Sequence, residues 1–138
     1  MARTAKKAND YDVEEMIKNL PPGLDRAILQ VLSFYKGSQV KIPRMKLVFE
    51  IKLLGITANE RQVRLQISQL RKSGVLIGSA PGEDGGYYLI ETVGEFHEFI
   101  AKEYLAKISD MQETLSSMRH SAQDRFGPAL DAIQTSFL

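Results

Sequence analysis

The chain has 138 residues, a hydrophobic share of 43%, no cysteine and a formal net charge of +1. That length suits one domain with an appended element, and the hydrophobic share suffices for a modest core. Without cysteine there are no disulfides, no thiolate catalysis and no cysteine-ligated metals, and no apolar run approaches the roughly 20 residues of a membrane helix. The polar start, MARTAKKAND, lacks the apolar core of a secretory signal. A cytoplasmic, reducing setting is therefore expected.

The charge is segregated. Residues 1–40 carry +1. Residues 41–77 hold eight basic side chains (Lys41, Arg44, Lys46, Lys52, Arg61, Arg64, Arg71, Lys72) against Glu50 and Glu60, for +6. Residues 78–138 hold four basic and ten acidic side chains, for −6. A local positive patch steers association with polyanions whatever the total charge.

Taken in order, Met1–Asn9 reads as a polar, disordered terminus, with a basic arm on a phosphate backbone as the lesser alternative. Asp10–Leu20 has acidic residues in its first turn and Val13, Met16, Ile17 and Leu20 on one side, the pattern of a short helix. Pro21-Pro22-Gly23 ends it. Leu24–Tyr35 carries Leu24, Ala27, Ile28, Val31, Leu32 and Tyr35 on one stripe and predicts the first core helix. Gln39–Ile42 reads as a small strand. Pro43–Gly55 has Leu47, Val48, Ile51 and Leu54 at helical spacing, with Pro43 suited to a first turn. After a turn at Gly55–Thr57, a second helix follows. Thr57 and Glu60 form a candidate capping box, Val63, Ile67 and Leu70 the buried stripe, and Gly74 the stop. Its opposite face presents Arg61, Leu65, Ser68 and Lys72, flanked by Gln62, Arg64 and Gln69. Arg, Gln, Ser and Lys are side chains that read base edges and hold phosphates. The plain alternative is an amphipathic helix with a solvated polar face.

Val75–Ile77 and Tyr87–Ile90 predict two strands joined by the turn-rich Gly78–Gly86. Tyr87 and Tyr88 should alternate, one toward the core and one toward solvent. The hairpin tip carries Glu83 and Asp84, the wrong charge for a phosphate contact. Thr92 and Glu95 form a second candidate capping box. It opens a long helix with Phe96, Ile100, Tyr104, Ile108, Met111, Leu115, Met118 and Ala122 on one line. From Tyr104 the spacing alternates between four and three, as in a coiled-coil seam. Tyr104, Ile108, Met111, Leu115 and Met118 are the expected dimerisation residues, and a helix folded back on its own domain is the alternative. Gly127-Pro128 breaks the helix before an amphipathic tail, Ala129–Leu138.

Catalytic signals are weak. His97 and His120 stand 23 residues apart without clustered carboxylates, and Ser33, Ser79 and Ser121 lack any nucleophile-elbow context. No enzyme activity, metal site or cofactor is expected, and nothing identifies a small-molecule effector.

Helix, turn, helix, hairpin is the order of a winged helix. VKIPRMKLVFEIKLLGI, NERQVRLQISQLRKSGVLIGS and GGYYLIET resemble winged-helix proteins encoded in phages and prophages, and the resemblance runs on into EFHEFIAKEYLAKI. It covers roughly residues 24–120. It implies a small protein that binds double-stranded DNA in transcriptional control or phage-type replication, in a prokaryotic or viral setting. Carried over by position, it puts Asn59, Arg61, Gln62, Arg64, Leu65, Ser68, Gln69 and Lys72 on the groove-facing helix, with Arg44 and Lys46 near the backbone. The expected fold is mainly α with a small β-hairpin, a winged helix-turn-helix with a long C-terminal helix. The expected organisation is a tail and short helix over 1–23, a winged helix over 24–91, and a C-terminal dimerisation segment over 92–138. A protein–protein interaction module serving as an assembly scaffold is the rival reading.

Overall fold

The computed structural model describes residues 10–129. The expected disordered terminus at 1–9 and all but the first residue of the expected tail at 129–138 lie outside the described residues. The described residues are mainly helical, with one two-stranded antiparallel sheet and a long C-terminal helix. The chain divides into two compact units between Phe99 and Ile100.

In the first unit, α1 (Asp10–Asn19), α2 (Leu24–Leu32), α3 (Arg44–Leu53) and α4 (Glu60–Lys72) precede β1 (Ile77–Ala80), β2 (Gly86–Leu89) and α5 (Val93–Ile100). α2 is the central element and packs on α1, α3, α4 and β2. Its periodicity explains this position: Ala27, Ile28, Leu29, Val31 and Leu32 are all buried, a wider arc than one stripe. The helix ends three residues before the expected Tyr35. Ser33 caps it, its hydroxyl donating to the Gln30 carbonyl at 2.7 Å. Val13 from α1, Leu47 and Ile51 from α3, and Val63, Ile67 and Leu70 from α4 complete the core with Val75, Ile77, Tyr87 and Leu89.

The expected strand at Gln39–Ile42 is replaced by two isolated bridges to β2, Lys36 to Leu89 and Ile42 to Tyr87. Between them Gly37, at φ +98°, turns the chain, and its carbonyl accepts from Val40 N–H, so no continuous ladder forms. The bridges still satisfy the outer edge of β2: Ile42 and Tyr87 exchange both backbone hydrogen bonds, at 2.9 and 3.0 Å.

The first strand begins at Ile77, later than expected. Val75 N–H bonds back to Leu70 O and Gly74 N–H to Arg71 O, so these residues close α4 around Gly74 at φ +102°. Pairing runs from Ile77–Leu89 to Ala80–Gly86. The expectation that one of the two tyrosines faces solvent is corrected, because both are buried. The Tyr88 ring lies over its ladder partner Gly78, where a β-carbon would collide with it. Tyr87, on the other face, is covered by the Arg44 guanidinium, 5.8 Å from the ring centre.

At α5, Thr92 Oγ1 accepts from Glu95 N–H as expected of a cap. The Glu95 carboxylate reaches beyond that box, with the Thr92 backbone among the hydrogen-bond donors that lower its pKa. It accepts from Glu91 N–H and, across 57 positions of sequence, from Ser38 N–H, both at 2.8 Å. Phe99 is the buried residue of α5, and it lies off the expected stripe of Phe96 and Ile100.

The second unit is a five-residue π-helical turn, Ala101–Leu105, followed by α6 (Ala106–Phe126), which Gly127 terminates at φ +58°. No residue of α6 is buried. Tyr104, Ile108, Met111, Leu115 and Met118 are exposed by 39–70%. Among the described residues no helix is long and apolar enough to cross a membrane.

Candidate nucleic-acid interface

α4 buries Val63, Ile67 and Leu70 and turns its other side outward. Its start differs from the sequence expectation. Asn59, not Thr57, is the N-cap: its Oδ1 accepts from Gln62 N–H at 2.8 Å, and Gln62 Oε1 accepts from Asn59 N–H at 2.9 Å. The helix begins two residues later than Thr57 would set it. Asn caps as well as Thr, and Glu60 falls in the first turn, where its charge complements the helix dipole. The side-chain oxygens of Asn59 and Gln62 are thus committed to the helix end, and the Gln62 amide nitrogen remains as a donor.

Arg61, Arg64, Leu65, Ser68, Gln69 and Lys72 are exposed along one face. Arg64 lies 4.0 Å from Glu60, and both side chains are well solvated, so the pair restrains Arg64 little. The exposed face therefore carries three cations, one amide, one hydroxyl and one apolar side chain.

Three of the eight basic residues in the positive block work within the fold. Lys41 Nζ donates to Ser38 O at 2.7 Å. Arg44 donates to Ala80 O at 3.2 Å while covering Tyr87, which holds the start of α3 against the hairpin. Arg71 donates from Nε to Ile77 O at 2.8 Å and from a terminal nitrogen to Ser79 Oγ at 3.1 Å, with its guanidinium 5.0 Å from the centre of the Phe99 ring. It fastens α4, β1 and α5 together, a structural role that sequence reading missed. The signal was available: at about 100° per residue, Arg71 lies only about 40° from Ile67, at the edge of the buried stripe. Lys46, Lys52, Arg61, Arg64 and Lys72 are the exposed cations of the block.

The hairpin tip exposes Glu83 and Asp84. His97 and His120 are exposed, and among the described residues no group of three His, Cys, Asp or Glu side chains is placed to hold a metal ion. The fold perturbs the Glu95 carboxylate. Burial raises its pKa, but the hydrogen bonds from Ser38, Glu91 and Thr92 outweigh that and hold it below the usual glutamate range.

Comparison of the chain with protein-family models, curated proteins and solved structures finds no match.

Proposed function

We propose that the first unit is a winged helix-turn-helix that binds double-stranded DNA, with α4 entering a major groove and the β1–β2 hairpin as the wing. The observation that carries this reading is the exposed face of α4, where Arg61, Arg64, Ser68, Gln69 and Lys72 stand together within the positive block. Arg61, Arg64, Lys72 and, from α3, Lys46 hold phosphates, and Gln69 with the free end of Gln62 reads base edges. Arg44 positions the wing instead of touching DNA. The acidic tip at Glu83 and Asp84 keeps the wing away from the backbone. The exposed seam from Tyr104 to Met118 pairs two copies, so the target is a two-fold-related sequence with one half-site per copy. The role is transcriptional control or phage-type replication in the cytoplasm, and it needs no cofactor, metal or chemical step.

Fluorescence anisotropy of labelled duplex DNA, titrated at two salt concentrations, tests this. Binding that weakens steeply with salt supports it, and absence of binding to any duplex at low salt refutes it. Equal affinity for random and palindromic duplexes removes the sequence-specific part. Sedimentation equilibrium of Leu115→Glu tests the seam: the expected result is a monomer, and an unchanged mass sinks the seam. A second reading, a protein-interaction module, is favoured by the exposed apolar side of α3.

A further inference from the structure

The outer side of α3 is unusually apolar. Met45, Phe49 and Leu53, at i, i+4 and i+8, are exposed by 65, 58 and 69%. Beside them Phe34 is exposed by 83% and Leu54 by 50%. Of these, Phe34, Leu53 and Leu54 line a groove of about 470 Å³ together with Ile17, Val31 and Glu50. Single exposed apolar residues are ordinary, but a contiguous patch beside a cavity marks an interaction surface. Nothing in the DNA reading uses it, and no residue of α4 lines the groove.

The charges around the patch select its occupant. Rotation at about 100° per residue puts Lys52 on one side of the Met45–Phe49–Leu53 stripe and Lys46 on the other, and both are exposed. A second α3 would set lysines against lysines. The seam of α6 fits no better, because the same rotation puts Lys107 and Arg125 on one side of it and Arg119 on the other. An amphipathic helix with acidic flanks matches both the apolar stripe and its basic margins. The groove adds an anchor site. It is apolar apart from Glu50, Gln30 and Ser33, and the Ser33 hydroxyl is already spent on Gln30 O. A large aromatic side chain with one hydrogen to donate, such as tryptophan, fills such a space and finds the Glu50 carboxylate as acceptor.

We propose that α3 and the groove beside it dock an acidic-flanked amphipathic helix of a partner protein, on a surface that shares only Lys46 with the cations offered to DNA. The proposal deepens the interaction reading and does not depend on DNA binding. Two labelled synthetic helices of about 18 residues, or five turns, serve as probes. They share a Trp/Leu stripe and differ in having glutamate or lysine flanks. Each is titrated with the full chain at about 50 mM salt, where surface charges are weakly screened. The glutamate peptide is expected to bind about tenfold tighter than the lysine peptide. Phe49→Ala with Leu53→Ala should weaken it by about tenfold or more. Both side chains are exposed, so the melting temperature should hold and DNA affinity should be unchanged. Lys46→Glu with Lys52→Glu should reverse the preference between the peptides. The proposal is overturned if neither peptide binds, if both bind alike, or if the preference survives the charge reversal. Loss of DNA binding alone would count against the α4 reading and leave this one standing.

Discussion

Replacing Arg61 and Arg64 together by alanine separates the charges offered to DNA from those used inside the fold. Four exposed cations per copy, Lys46, Arg61, Arg64 and Lys72, are available for phosphates. Each neutralised phosphate contributes about −0.9 to the slope of log affinity against log salt, so the slope per copy is about −3.6. Between 50 and 200 mM salt the affinity should then fall roughly 150-fold per bound copy, against roughly 12-fold per bound copy for the double variant, whose slope per copy is about −1.8. Both side chains are exposed, and the Arg64–Glu60 contact at 4.0 Å is solvated, so stability should change by less than about 0.5 kcal/mol. The assay is anisotropy on one duplex across a salt series, with thermal melts as the folding control. A variant that keeps the wild-type slope refutes the assignment of these residues to phosphate contacts. Arg71→Ala makes the complementary control, because its guanidinium is held by Ile77 O and Ser79 Oγ.

Arg71→Ala should leave the salt slope unchanged and lower unfolding free energy by about 1.5–3 kcal/mol, measured in urea, since it leaves hairpin acceptors without their charged donor. Gly86→Ala should destabilise more than Gly78→Ala by the same measurement. At Gly86, φ is +152° and a β-carbon meets the Ile42 carbonyl, which is backbone, whereas at Gly78 it meets a side chain, the Tyr88 ring. Overpacking of this kind costs about 1–3 kcal/mol. Asn59→Ala should cost about 1 kcal/mol and Thr57→Ala nearly nothing, because Asn59 holds the cap; the reverse order in thermal melts would restore Thr57 as the start of the helix. Glu95 has its pKa lowered on folding, so its contribution is present at neutral pH and is lost as pH falls through the usual carboxylate range toward the folded value. Glu95→Gln should therefore flatten the loss of stability as pH falls below about 5, and an unchanged pH profile would refute the role of its bonds to Ser38 and Glu91.

Helix positions were legible because they depend on spacing within a few residues. The stripes Ala27–Leu32 and Val63–Leu70 and the stop at Gly74 need no distant partner to be recognised. Cap assignment was harder, since Thr57 and Asn59 both precede a residue able to complete a box three positions later. Only the actual start of α4 chooses between them. The charge block was likewise visible as a block, but not which of its members were free. Arg44 reads as an interface charge, and Arg71 as one more member of the block, until the hairpin is folded against them.

By itself the sequence determined the order of helices and hairpin, the segregation of charge and the apolar line along the C-terminal helix. Each follows from periodicity or composition over short stretches. Tertiary structure alone decided the rest. It buried both Tyr87 and Tyr88, replaced the expected strand at Gln39–Ile42 with two bridges, and sent Glu95 across to Ser38. It also left Met45, Phe49 and Leu53 outside the core while Leu47 and Ile51 went in. The expected stripe pointed to Leu47 and Ile51, but α3 is apolar well beyond that stripe, so its own pattern does not say that Leu54 stays exposed with Met45, Phe49 and Leu53. Packing on α2 and α4 does.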